Sequence, residues 1–444
     1  MANPANPIAN LFRIPELKEK ILFTLLTLFI YRIGAHITAP GIDLQALQAL
    51  FAQYQGTLFG VYDMFVGGAL SRATVFALGI MPYISASIIF QLLAAVIPSI
   101  EKMQKEGEDG RKKLTQWTRY ATVGLALAQG YGYAVFLQTS VTGAVRNPGF
   151  FSFQLPTALI LTTGAIFVMW LGEQITERGI GNGMSLLIFF SIIETFPRAI
   201  ATTWEQVTTG VIGWFTLLVL AVLMIGVVAG VTAMTMAQRK IPVQIPRKVM
   251  GRGRVREGQK SFIPLRINSS GVMPIIFAQS IIIVPGTVAA FSNIGWLQRF
   301  GSYFQPNTGN WAYYLTYSVL ILFFTYFYTA IIFNPVDLSE NLKKQGAFVP
   351  GVKPGARTAE YIDYVLSRIT IAGAIYLALI ALLPFLIIDA FGIQGMFFGG
   401  TSLLIVVGVA LDTVQQMQQH LLLRHYEGFM KKGRVRFRGR QRFM

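Results

Sequence analysis

The chain has 444 residues, is 53% hydrophobic and only 13% charged, and carries a formal net charge of +17. A soluble protein of this length needs far more charge on its surface, so a set of globular domains is excluded. It contains no cysteine, which excludes disulfides, thiolate metal sites, iron–sulfur clusters and cysteine nucleophiles.

Residues 1–20 are polar and lead into an apolar run with no small-residue cleavage site after it, which argues against a cleavable signal peptide. Apolar stretches of spanning length follow at 21–37, 75–97, 121–137, 150–171 and 184–200. A second five lie at 211–236, 271–291, 311–333, 369–388 and 396–411. Ten spans place both termini on one side. With both ends inside, the inner segments hold 3, 6, 1, 9, 5 and 8 Lys or Arg in chain order, whereas the outer loops hold only Arg72, Arg146, Arg198 and Arg299. Losing one span would flip half the loops and destroy that bias. The expectation is an all-α fold of ten transmembrane helices with both termini cytoplasmic. Its N-terminal half would cover 21–200 and its C-terminal half 201–423, with cytoplasmic loops at 237–268 and 334–368 and a basic tail at 424–444. Five spans, a basic loop and five more suggest inverted repeats, although no sequence identity between the halves is visible.

Residues 58–70 (LFGVYDMFVGGAL) are apolar but too short to cross. Two readings stay open from the residues alone. One is a re-entrant half-helix, tolerated only where it is buried in protein or lines a wet cavity; the other is an amphipathic loop on the external side.

The span interiors are nearly free of ionisable groups. Arg32, Glu194 and Asp389 lie toward external span ends, Glu173 and Asp412 toward cytoplasmic ones, and no pair suggests a proton relay. His36, His420 and His425 are too scattered for a metal cluster, and no Ser–His pair or HExxH supports proteolysis. The glycine-rich run at 179–183 lacks the strand–turn–helix setting of a phosphate loop and reads as a flexible span entry. Enzyme chemistry, a cofactor and a metal are therefore not expected. A secondary transporter of a small solute, built on inverted repeats, is the rival class; it calls for embedded ionisable groups and short loops. Polar residues of modest cost do occur: Ser85, Ser87 and Gln91 in the second span, Gln279 and Ser280 in the seventh. Interhelical hydrogen bonds of ~0.6 kcal/mol each suit helices that must sometimes part. The basic loop at 239–266, with nine Lys or Arg, reads as a charged, partly irregular protrusion able to attract RNA or an acidic protein surface. The tail at 431–442 reads as disordered when unbound.

Several long strings then follow one another in a specific order. They are GGALSRATVFALGIMP at 67–82, KEGEDGR at 105–111, WLGEQITERGIGNG at 170–183 and IPVQ at 241–244. Further on come FNP at 333–335, NLKKQGAFVPGVKP at 341–354 and FGGTSLLIVV at 398–407. On ten spans they resemble the bacterial SecY family over about residues 11–429. That resemblance implies a channel for unfolded polypeptides that also releases hydrophobic segments laterally into lipid. It implies a plug in the short segment (Tyr62, Met64, Phe65, Gly67, Gly68, Leu70) and an aliphatic pore ring of Ile80, Ile84, Met184, Ile188, Ile276 and Ile405. It further implies a lateral gate between the second and seventh spans (Ser87, Gln91, Gln279, Ser280). Arg239, Arg247, Lys248, Arg252, Lys353 and Arg357 would form a docking surface for a SecA motor ATPase or the ribosome. SecE-like and SecG-like small subunits, secretory and membrane-protein substrates, lipid and a bacterial inner membrane are implied likewise. Two positions depart from the family pattern: Lys353 stands where Arg is usual, losing a planar bidentate donor, and Met184 stands where isoleucine is frequent.

Overall fold

A computed structural model describes residues 14–53, 58–140, 145, 147–245, 248–250, 254–256, 260–291, 295–304, 310–391 and 400–432. All ten predicted spans fall on helices. In chain order these are α1 (Pro15–Gly34), α4 (Met81–Val96), α6 (Glu108–Ser140), α7 (Leu155–Arg178, entered through a π turn at Phe150–Gln154) and α8 (Gly183–Thr208). The second set is α9 (Trp214–Met236), α10 (Met273–Phe291), α12 (Trp311–Ile332), α14 (Ala356–Phe391) and α15 (Gly400–Lys432). Shorter helices lie between them: α2 (Leu44–Gln53), α3 (Leu58–Phe65), α5 (Pro98–Lys105), α11 (Gly295–Ser302) and α13 (Pro335–Lys344). Among the described residues five helices combine the length and apolarity to cross a membrane alone, and α4 and α5 pass the same test only when taken together across a 108° bend. The chain is a multi-pass membrane protein.

Local chemistry sets the helix ends. The second span was expected from residue 75, yet α4 starts at Met81, because residues 74–80 form tight turns with Gly79 at φ +53° and Pro82 fits the first helical turn. The entry to α8 is not the flexible glycine run expected. Asn182 caps it by accepting from the Met184 and Ser185 amides at 3.1 and 3.3 Å. Gly183 backs directly onto the Gly172 carbonyl, so any side chain there would drive α7 and α8 apart.

The helices sort into two bodies. α1, α4, α6, α7 and α8 pack together, as do α9, α10, α12, α14 and α15. The bodies meet along two lines, α10 against α4 and α6, and α15 against α8. One continuous buried core runs through both.

The basic loop, expected to be partly irregular, holds regular structure that the sequence reading did not foresee. It contains two antiparallel pairs, β1 (Gln238–Gln244) with β4 (Lys260–Arg266) and β2 (Lys248–Met250) with β3 (Arg254–Arg256). Ile241 and Val243 point inward while Lys240 and Pro242 point outward, a period of two that the charge content masked. Gln244 and Phe348 exchange backbone hydrogen bonds at 2.9 and 3.0 Å, which ties this loop to the one before α14. Ile241, Val243, Leu265, Ala347, Val349 and Ile362 form a small separate core beneath both. The expected disordered tail overlaps α15 as far as Lys432, and residues 433–444 lie outside the described residues.

Candidate functional site: a stoppered waist

α8 serves as a ruler through the protein. Asn182 and Ser185, at its start, line a cavity of about 360 Å³ on the face that carries the β-pairs. Glu194, Thr195, Arg198 and Thr202, further along, line another of about 470 Å³. At 1.5 Å per residue, Asn182 and Thr202 lie ~30 Å apart, one hydrocarbon thickness. Between the two sets sits Ile188. The β-face cavity is lined mainly by uncharged polar groups, among them Asn268, Ser270, Thr413 and Gln416; Arg266 and Asp412 are its ionisable residues. The opposite cavity holds Arg32, Asp63, Arg72, Glu194 and Arg198.

The six ring candidates come from four helices. Ile80 stands at the N-cap of α4 and Ile84 one turn on; Met184 and Ile188 lie in α8, Ile276 in α10 and Ile405 in α15. All belong to the central core, five of them buried and Met184 half-buried against it. Ile276 separates Val272 and Met273, which border the β-face cavity, from Ser280 and Ile283. Those last two border a void of only about 20 Å³ among α3, α4, α6 and α10. The ring candidates thus lie in one apolar core, with little space beside Ser280 and Ile283.

The short segment borders the same void through Phe59, Tyr62 and Leu70. α3 and the turns after it are buried, with Phe65, Val66, Ala69 and Leu70 each at most 3% exposed. This burial is what a segment enclosed in protein shows, whereas an amphipathic surface loop would leave one face open. α3 packs against α8 of one body and α10 of the other. The Tyr62 hydroxyl donates to the Leu78 carbonyl at 3.0 Å and the Tyr133 hydroxyl to the Leu70 carbonyl at 2.7 Å. Met64 lines the larger cavity. Gly67 and Gly68 sit at φ +70° and +72°, left-handed positions that strongly favour glycine.

The seam between α4 and α10 has a different character. Gln91 donates to Ser87 at 3.0 Å on the same helix, and Ser280 donates to the Ile276 carbonyl at 2.8 Å on its own. Across the seam Ser280 meets the Met81 sulfur at 3.8 Å, a soft contact. Gln279 is fully buried. Of the four gate candidates, Ser280 is the one with a side-chain contact described across the seam.

A sequence profile of the SecY family matches residues 74–414. Protein translocase subunit SecY of Escherichia coli K12 is 47% identical over 431 residues, covering 96% of each chain. The subunit of the same name from Aquifex aeolicus is 44% identical over 427 residues, or 95% of this chain and 98% of that one. This chain belongs to the SecY family. Its fold matches a solved protein-conducting channel at TM-score 0.64 and 16% identity, over 97% of this chain and all of that one. It matches canine Sec61 from a ribosome–channel complex at TM-score 0.60, with the same identity and coverage. A further SecY-type match, at TM-score 0.65, 16% identity and the same coverage, is described as having a plug domain that stabilises the closed state and maintains a membrane seal.

In this SecY chain the docking candidates partly converge. Arg239 on β1, Lys353 before α14 and Arg357 in its first turn are exposed around the small core shared by the two loops. Arg357 pairs with Glu360 at 3.2 Å in the open, a contact weak enough to exchange for a partner. Lys248 lies in β2, while Arg247 and Arg252 lie outside the described residues.

Sequence reasoning missed two arrangements. Arg32 and Glu194, read as unrelated span ends, form an ion pair, and Arg72 joins them at 3.2 Å. Arg119 and Glu173 form a two-pronged pair at 2.9 and 2.8 Å that ties α6 to α7. Equal depth in the membrane was the one available signal, and it does not reveal which helices adjoin.

Proposed function

We propose that the chain is the protein-conducting subunit of a translocase, passing unfolded polypeptides through the waist and releasing hydrophobic segments sideways between α4 and α10. It is a channel subunit, not an enzyme. The observation that supports this is the pair of cavities at opposite ends of α8, with Ile80, Ile84, Met184, Ile188, Ile276 and Ile405 in the core between them and the buried segment 58–70 beside it; in this reading the six form the ring and the segment is its stopper. An aliphatic ring offers a passing peptide no specific partner, and a narrow apolar neck holds back water and ions by dewetting. The solute-transporter reading fits less well, since Arg32 and Glu194 are joined to the plug and line the cavity away from the β-face.

Sideways release follows from transfer energies. Leu or Ile at mid-membrane gains roughly 0.3–0.6 kcal/mol, whereas Arg or Asp costs roughly 2.5–3.5. One charge thus offsets about five leucines, and a seam opening to lipid lets this balance choose the route. Gln91 donates to Ser87 and Ser280 to the Ile276 carbonyl within their own helices, so these bonds add no cohesion across the seam.

In this reading the β-face is cytoplasmic, both termini lie there, and the membrane is a bacterial inner membrane; the Lys and Arg bias supports that orientation. The basic residues of the two loops would dock a ribosome or a SecA motor, and SecE-like and SecG-like subunits would complete the complex. Ribosome-bound channels of the same fold, canine Sec61 among them, support the first partner.

Reconstitution tests the whole reading: the chain with its two small subunits and motor should carry a secretory precursor into proteoliposomes, and a complete complex that transports none would end it. Docking has its own measurement. Reversing Arg239, Lys353 and Arg357 to Glu should weaken motor or ribosome affinity about a hundredfold at fixed salt and flatten its salt dependence by about three charges. Unchanged affinity would move the docking surface elsewhere.

A further inference from the structure

Beyond the ring and plug themselves, the cavity away from the β-face contains a charged assembly to which neither reading gives a role. At its centre is Arg72, whose guanidinium makes four contacts. Its Nε donates to the Gly68 carbonyl at 2.8 Å and its Nη2 to the Gly67 carbonyl at 2.8 Å. Nη2 also reaches Glu194 Oε1 on α8 at 3.2 Å, and Nη1 reaches His36 Nε2 at 2.9 Å. A guanidinium only donates, so His36 accepts through Nε2, and its Nδ1–H is left to donate to the Arg32 carbonyl at 3.0 Å. Arg32 itself pairs with Glu194. One carboxylate therefore holds two guanidinia, one from α1 and one from the C-terminal end of the plug segment 58–72, with Arg198 lining the same cavity.

The backbone is shaped for this. Two successive left-handed glycines present their carbonyls to the arginine that follows four residues later, and Ala73 next to that arginine is at φ +43°, an uncommon position for a residue with a Cβ. Asp63 Oδ1 accepts the Ser71 amide at 2.8 Å and closes the same turn onto α3. Such a strained loop persists only where its surroundings over-determine it.

We propose that Arg72 and Glu194 form a latch that positions the plug. The arginine gathers the plug's C-terminal turn, and the glutamate fastens that arginine to α8 and α1. This deepens the plug reading and rests on it. Exposure decides that the latch matters: the side chains of Glu194 and Arg72 are only 13% and 18% exposed, so the pair is shielded far more than the surface pairs whose contributions average near zero. Removing Glu194 also leaves the Arg32 and Arg72 charges facing one another, so the contact turns from attraction to repulsion. The plug can leave only by breaking this junction, and an entering chain would have to displace it.

The experiment uses the assembled complex. Glu194→Gln should raise the resting ion conductance of planar bilayers about tenfold. It should raise by a similar factor the rate at which an impermeant maleimide labels Val66→Cys, a buried plug position in a chain with no other cysteine. Arg72→Gln leaves every spanning helix untouched and repeats the test should Glu194→Gln disturb assembly. The double variant should open no further than the more open single, because both remove one junction; additive opening would show two independent contacts and overturn the latch. A Glu194→Gln channel as tight and unreactive as wild type, in a preparation where deletion of residues 58–72 does open it, overturns the latch and leaves the plug standing. If that deletion leaves the channel tight as well, the plug reading falls and the latch with it.

Discussion

Oxidising a Met81→Cys, Ser280→Cys pair is expected to abolish export, with at least a tenfold fall in translocated precursor, and reduction is expected to restore it. The two side chains face each other across the seam, with the Ser280 hydroxyl 3.8 Å from the Met81 sulfur. The chain has no native cysteine, so any crosslink is the intended one. Where the Cβ separation exceeds disulfide reach, a short bis-thiol linker gives the same covalent tie. The size of the effect follows from the nature of the contact. The proposed seam has a soft thioether contact described across it, and Gln91 and Ser280 donate within their own helices. It therefore opens at little cost, and a covalent bond replaces a weak barrier with one that a passing chain cannot break. Export proceeding normally through the crosslinked form would remove the seam from the mechanism and leave the waist as the sole route.

This prediction uses a residue that the sequence did not single out. Ser87, Gln91, Gln279 and Ser280 stood out as polar groups in apolar spans, yet a serine in a membrane helix bonds the carbonyl four residues back, as Ser280 does, and contributes little across the interface. Met81 makes the cross-seam contact and looks like any other apolar residue. The same division runs through the rest of the molecule. The helical class and the placement of the apolar stretches on helices were legible because hydrocarbon thickness imposes a length. The family was legible because the strings around residues 67–82 and 170–183 resemble it, and the ring and plug are placed by that resemblance. The hairpin at 238–266 was hidden, because two inward residues, Ile241 and Val243, carry its period beneath nine basic ones. The latch was hidden for a different reason. Arg72 and Glu194 are 122 positions apart, and only the packing of α3 against α8 brings them together.

Replacing Ile84, Ile188 and Ile276 together with Asn is expected to turn the resting channel into a steady ion leak. These residues come from α4, α8 and α10, and each is at most 5% exposed within the central core. An apolar neck excludes ions because water inside it loses hydrogen bonds that the walls do not replace. Each amide restores two donors and acceptors at that level, and every ~1.4 kcal/mol removed from the hydration barrier multiplies conductance about tenfold. Three such changes should bring resting conductance well above that of a channel lacking only its latch, because loss of the latch frees the stopper while the ring still repels water. The order of the two effects separates the contributions. If the ring variant stays as tight as wild type while deletion of 58–72 leaks, the plug alone seals and the aliphatic waist serves only to pass peptides without gripping them. If the ring variant leaks with the plug still seated, as reported by slow maleimide labelling of Val66→Cys, the seal lies in the side chains of the waist, and the plug acts by keeping them together.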